Sequence, residues 1–338
     1  MSREASDLIL VSERKEDIDF FSRLAASTKK KLFDARSWKS MAQLLNDNRG
    51  AIVIWDADHE NAMNQEHPIS AVNIRMALIS HPKNFALTSK PINLYEELFT
   101  LLPDKRFRYQ NNILRRYDAT ATTLITRLLA TQNEEAAFGL APFFESDTRI
   151  QRIILYRSGE RPAAANAIES FLEKSGVASK IAAKIAQASD ELLMNAIFSA
   201  PRDKVGNAPR QNLIRTAKFD FPEGETVELE TALADTYAAI CVTDQFGSLL
   251  EENIVKFLGQ NFQSKDYTLR KYGSSAGLGM YGVVQSGLSL FFRVLPNKRT
   301  DAFLFFKRTG SMKEFKTGFQ FTACSFLKSF QAGNPLLS

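Results

Sequence analysis

An α/β fold is predicted for the whole chain, and three observations predict it. Short apolar runs alternate with stretches of helical spacing across residues 7–104. A mostly helical pattern fills 105–150. A strand, two helices and two strand-rich segments then follow from 151 onward. Such alternation over short connections reads as a sheet covered by helices.

Taken in order, DLILV at 7–11 is a candidate strand, and EDIDFFSRLAAS at 16–27 repeats apolar residues at helical spacing. KKLFD at 30–34 reads as a second strand and 38–46 as a helix. GAIVIWDAD at 50–58 is an apolar run ending in acids, the pattern of a buried parallel strand. IRMALIS at 74–80 and FALTSKP at 85–91 read as two more strands, and INLYEELFTLL at 92–102 as an amphipathic helix. The clearest helix of the next stretch is TTLITRLLATQNEEAAFGL. QRIILYR at 151–157 reads as a strand, RPAAANAIESFLEKSG as a helix stopped near Gly176, and about 178–200 as another helix. QNLIRTAKFDF, TVELETALADTYAAICVTD and the run near 288–308 are strand-rich.

The 338 residues allow two domains. We divide them into 1–104, a helical linker and dimerisation segment at 105–150, and 151–338. With 44% apolar and 24% charged residues, the composition is that of an ordinary globular protein. No stretch of eighteen uncharged apolar residues occurs, and the first residues lack a signal peptide's apolar region, so a cytoplasmic location without membrane contact is expected. Cys241 and Cys324 cannot form a disulfide framework. The net charge of +5 gathers in short stretches such as Lys29–Lys31 and 105–116, which read as solvated faces. Nucleic acid is an unlikely partner.

Three motifs carry candidate chemistry. In DELLMNAIFSAP, Glu191 and Asn195 stand four apart and share a helix face. A carboxylate can take a proton, and a carboxamide oxygen suits Mg²⁺ beside phosphate. In AAICVTDQFGSL, Asp244 ends a buried strand and Gly247 follows. A carboxylate there can accept from an exocyclic amine, and a glycine lets backbone come close. In YGSSAGLGMYGVV, glycines crowd a helix start, where bare N–H groups cradle phosphate. Each has a plainer reading alone: an exposed helix face, a turn, a glycine-rich loop.

In order and spacing these motifs resemble the GHKL superfamily of histidine-kinase-like ATPases, over residues 150–310. The resemblance implies a Bergerat-type α/β sandwich that binds ATP and Mg²⁺. Asn195 would hold the metal, Glu191 would act as base, and Asp244 would bind the adenine amine. Gly247 would lie beside the base, Thr300 would support the adenine pocket, and Gly277, Leu278 and Gly279 would lie at the phosphates. Residues 252–275 would form a lid. The chain departs from the pattern at Phe246, Ser248 and Ser275, where glycines are usual.

The first part resembles the receiver domain of two-component systems, an open α/β sheet, in degenerate form. Asp56 would be the phospho-acceptor, with Ser80 and Lys90 beside it. Ser12-Glu13 stands where receivers carry two acids.

The only histidines are His59, His67 and His81, and 105–180 has none, so autophosphorylation on histidine is not expected. The expected function is therefore a signalling regulator that binds ATP–Mg²⁺ and controls a partner protein. It acts in the manner of anti-sigma-factor serine kinases, with possible Ser/Thr phosphorylation, and forms a homodimer. The alternative is a non-catalytic pseudokinase scaffold working through its receiver-like part.

Overall fold

The computed structural model describes residues 7–35, 38–48, 50–59, 83–89, 111–131, 138–203, 205–250, 253, 283, 286–317 and 321–326. The fold is mixed α/β, with a parallel group of five strands and an antiparallel group, both covered by helices.

The parallel group contains β1 (Leu8–Val11), β2 (Leu32–Asp34), β3 (Ile52–Asp56), β4 (Asn84–Thr88) and β5 (Asn112–Leu114), in the order β2-β1-β3-β4-β5. All four residues of β1 and all five of β3 are buried, as strands covered on both faces must be. Leu8, Leu10, Ile52 and Ile54 face one core, while Ile9, Val11, Val53 and Trp55 face the other. Helix α1 (Lys15–Ser27) buries Phe20, Phe21, Leu24 and Ala25 against the first of these, and α2 (Trp38–Asp47) contributes Met41 to the second.

The range 105–150 is not simply a helical linker. It supplies β5, then α3 (Ala119–Thr131), then a segment ending in the short turn Ala141–Phe143. A three-residue strand beginning with a buried asparagine has too little apolar pattern to stand out in the sequence. The apolar stripe of α3 (Ala121, Leu124, Ile125, Leu128, Leu129) lies on the chain's own sheet. The stripe on which a dimer contact was expected is thus used internally.

The antiparallel group contains β6 (Ile150–Leu155), β7 (Val227–Leu233), β8 (Tyr237–Asp244), β9 (Ser289–Leu295) and β10 (Arg299–Lys307), in the order β9-β10-β8-β7-β6. The Phe-rich end supplies β11 (Phe321–Phe326), which pairs parallel with β9 and antiparallel with β5. It joins both groups into one eleven-stranded sheet. Rings of Phe143, Phe291, Phe303, Phe305 and Phe321 pack across this junction, with neighbouring centroids 4.9–6.0 Å apart.

Helices α4 (Arg161–Lys174) and α5 (Ser179–Met194) cover the other face of the antiparallel group. The stretch QNLIRTAKFDF, expected to be a strand, is irregular, and only Asp220 makes a bridge, to Arg157. Its fixed points are side chains. The Arg210 guanidinium binds Glu225 in a two-pronged ion pair and lies 5.0 and 5.5 Å from the Phe219 and Phe221 ring centres. The turn at Asp203 closes on itself, its carboxylate accepting from the Val205 and Asn207 N–H groups.

Among the described residues, no helix is long and apolar enough to cross a membrane.

Candidate functional site

Strand β8 sets the first half of the site. Side chains alternate along a strand, so Ala238, Ile240 and Val242 point to the core under α4 and α5, and Ala239 and Cys241 to the opposite one. Asp244 continues the helix-side row, and only 6% of it is exposed. Its Oδ1 accepts from the Phe246 N–H at 2.9 Å and the Gly247 N–H at 3.3 Å. Burial pushes its pKa up to about 6, against the pull of those two donors. Thr300 is the register partner of Asp244 across the β8–β10 pair and is 4% exposed. Its hydroxyl is close enough to favour ionised Asp244 but does not reach hydrogen-bond geometry, and among the described residues it has no partner.

Gly247 is required by the neighbouring hairpin. Its φ is +56°, and a Cβ there would stand 2.1 Å from the Leu295 carbonyl oxygen and 2.7 Å from the Lys298 nitrogen. The close backbone approach that a glycine permits is used here for the β9–β10 turn, with the Asn297 N–H donating to the Gly247 carbonyl.

Helix α5 sets the second half. Ile181, Ala182, Ile185, Ala188, Ser189, Leu192 and Leu193 are buried at helical spacing, which seats the helix on the sheet. The helix does not run on to 200 as α-helix. It passes into a π-turn, Asn195–Ser199, with the Ala200 N–H donating to the Asn195 carbonyl at 2.9 Å. Single π-turns inside helices are frequent at functional sites, and no residue in NAIFS announces one. This turn packs on β8, and the Ser248 hydroxyl donates to the Ala200 carbonyl at 2.6 Å. The loop after Asp244 is thereby tied to the end of the helix carrying Glu191 and Asn195.

Both helix residues are half-buried. The Glu191 pKa is raised by burial, then by the neighbouring Asp190 carboxylate; Arg161 and Arg215 pull the other way. Asp190 itself pairs with Arg161 at 2.6 Å. Among the described residues, the Asn195 carboxamide has no hydrogen-bond partner. Gly277, Leu278, Gly279 and the expected lid (apart from Asn253) lie outside the described residues.

The carboxyl ends of the parallel strands build a second polar corner. Asp56 ends β3 and is 1% exposed. Arg115, directly after β5, reaches Asp17 with Nε at 3.1 Å, Asp58 with Nη1 at 2.6 Å, and Asp56 with Nη2. Arg14 adds a 3.0 Å contact to Asp56. Asp17, buried on α1, also accepts from Ser12 at 2.6 Å and Tyr117 at 2.5 Å. Burial alone would lower the Arg115 pKa, but the three carboxylates raise it. The Tyr117 hydroxyl is pushed up by burial and then by Asp17.

The strand order around Asp56 differs from the sequence expectation. FALTS is the strand beside β3, and the fifth parallel strand is Asn112–Leu114. Among the described residues, Ser89 adds a hydroxyl, with Oγ 3.3 Å from Arg115, and Arg115 and Arg14 are the cations that reach Asp56. Ser80 and Lys90 lie outside the described residues. The strand count in the sequence ran one ahead because IRMALIS at 74–80, which lies outside the described residues, was counted before FALTS. Arg115 was hidden inside a basic run that read as a solvated face.

Comparison with protein-family models and with curated proteins found no match for this chain.

Proposed function

We propose that the chain is a signalling regulator that binds ATP with Mg²⁺ between the Asp244 strand end and the Glu191–Asn195 helix face. It would thereby control a partner protein, by phosphoryl transfer to a serine or threonine. The observation that carries this reading is the pair Asp244 and Thr300. Both are buried at one strand end; among the described residues Asp244 accepts only two backbone N–H groups, both on one oxygen, and the Thr300 hydroxyl is buried without a partner. Buried polar groups left so are costly unless a ligand completes them.

The residues fit the group. An ionised Asp244 accepts an exocyclic amine N–H, and the Thr300 hydroxyl can serve a ring nitrogen or a water beside it. The free Asn195 carboxamide offers an oxygen to a hard cation. When bound, Mg²⁺ would neutralise phosphate charge. The raised pKa of Glu191 suits it to receive a proton from an acceptor hydroxyl. Resemblance to GHKL proteins supports the same roles, and Gly277, Leu278 and Gly279 complete the proposed phosphate cradle. In the parallel part, Arg115 and Arg14 already engage the carboxylates around Asp56, which favours a receiver-like module used for docking over one that takes a phosphoryl group.

Calorimetry with ATP–Mg²⁺ on the wild type, Asp244→Asn and Asn195→Ala tests the reading. Micromolar to millimolar binding that both changes weaken supports it; no binding by the wild type at millimolar ATP overturns it. The second reading, a non-catalytic scaffold, is favoured by the Ser248–Ala200 bond, which draws the loop onto the helix end where a glycine would leave room. Partner-dependent phosphate release that Glu191→Gln abolishes decides for the kinase.

A further inference from the structure

Four arginines surround the end of α5; two are paired with carboxylates, Arg202 donates to the Ser199, Ala200 and Pro201 carbonyls, and Arg215 differs from all three. Arg161 is paired with Asp190, and Arg210 with Glu225. Arg215 has no carboxylate within ion-pair distance among the described residues. Its guanidinium carbon lies 5.4 Å from the Phe198 ring centre, and both terminal nitrogens stand 3.5 Å from the Ser199 hydroxyl. That distance is at the outer edge of a hydrogen bond. The side chain is half-buried, so its charge has lost part of its water, with Glu191 near it but beyond ion-pair distance.

Its position points to the missing anion. Ser199 closes the π-turn that Asn195 opens, and the next residue, Ala200, holds Ser248 of the Asp244 loop. The guanidinium therefore stands where the helix pair and the strand-end loop meet, near enough to Glu191 to lower its pKa. A planar fork with open donors is well matched to phosphate oxygens.

We propose that Arg215 contacts the phosphate chain of a nucleoside polyphosphate and makes the site discriminate nucleotides by that chain. The proposal rests on the nucleotide reading above. It extends that reading by assigning a role to the irregular 200–226 excursion, which delivers the arginine.

Binding of ATP, ADP and adenosine to the full chain, for the wild type, Arg215→Gln, Arg215→Lys and Asp244→Asn, tests it. Arg215→Gln is expected to weaken ATP by about tenfold or more, to weaken ADP as well, and to leave adenosine unchanged, with Arg215→Lys in between. Asp244→Asn is expected to weaken all three ligands. Unchanged ATP affinity in Arg215→Gln overturns the proposal while the nucleotide site stands. Equal loss of all three ligands also overturns it, because Arg215 then only packs Phe198. A wild type that binds neither ATP nor adenosine overturns the site and this inference together.

Discussion

The sheet carries two buried aspartates at strand ends, Asp56 and Asp244, and their surroundings differ in kind. Around Asp56 the chain supplies its own cations, with Arg115 reaching three carboxylates and Arg14 a fourth contact. Around Asp244 it supplies two backbone donors to a single oxygen, while Thr300 opposite has no partner among the described residues. One corner pairs its carboxylates with arginine side chains, and the other gives its carboxylate only backbone donors. Buried charge is tolerated when paired within the fold; when it is not, the group becomes a candidate for binding a ligand. The comparison teaches that an aspartate at a strand end is not informative by itself. The identity of the residue facing it, often distant in sequence, decides what the corner can do.

The largest expected effect breaks the arginine-paired corner. Arg115→Ala leaves Asp17, Asp56 and Asp58 facing one another without their shared cation, and a loss of about 3–5 kcal/mol is expected. Urea unfolding measures it. A loss below about 1 kcal/mol would show that water or Arg14 already satisfies these acids, and the contrast between the corners would collapse.

Next comes Gly247→Ala. A methyl group there meets the Leu295 carbonyl at 2.1 Å on a backbone that also has positive φ. Strain and clash together predict a loss of about 2–4 kcal/mol. Nucleotide affinity should fall with it, since the loop carrying the Asp244 donors must shift. Full stability in this variant would mean that the β9–β10 turn yields easily and that the glycine serves the ligand instead.

Much of this was legible beforehand, and the limits were physical. The apolar runs LILV, IVIWD and YAAICVTD named their strands because strands buried on both faces must be apolar throughout. Spacing put Glu191 and Asn195 on one helix face, and the apolar run before Asp244 put it at a strand end. The junction of the two strand groups was not, because β5 has three residues and its pairing with β11 spans most of the chain. Nor was the burial of Asp301 and Glu230, whose carboxylates accept the Gly139 and Leu140 N–H groups and so fasten the segment before Ala141–Phe143 onto the sheet. Long-range pairing leaves no local signature. Arg215 was passed over for the same reason: its meaning lies in the Phe198 and Ser199 side chains beneath it.

A smaller effect has an unusual sign. The Asp244 pKa is about 6, above its ordinary 3.8. The folded protein therefore holds that proton more tightly than the unfolded chain, so ionising Asp244 costs stability. The cost is absent below pH 4, grows through the window to pH 6, and is fully present above it. Asp244→Asn keeps an acceptor for the Phe246 and Gly247 N–H groups and removes the charge. It should stabilise the ligand-free protein by about 1–3 kcal/mol at pH 7.5, with no gain near pH 4, while nucleotide binding is lost. In the wild type, ATP affinity should fall as pH drops below 6 and Asp244 takes up its proton. Thermal unfolding across pH, with and without ATP, reads both. A destabilised Asp244→Asn at pH 7.5 would mean that the charge is paired after all, and the corner would join that of Asp56.

The smallest effect isolates the hydroxyl from the charge. Thr300→Val keeps the shape of a residue that is 4% exposed and deletes an oxygen with no partner among the described residues. Removing a buried hydroxyl that makes no hydrogen bond relieves a desolvation penalty, so a gain of about 0.5–1.5 kcal/mol is expected, less if the hydroxyl's help to ionised Asp244 is lost with it. The same change should weaken ATP, because the missing oxygen is one the ligand would use. Opposite signs for stability and affinity at one methyl-for-hydroxyl exchange are the mark of a group kept for binding. A loss in stability with unchanged affinity would instead make Thr300 a structural partner of Asp244, and the case for a ligand at this strand end would then rest on the helix residues alone.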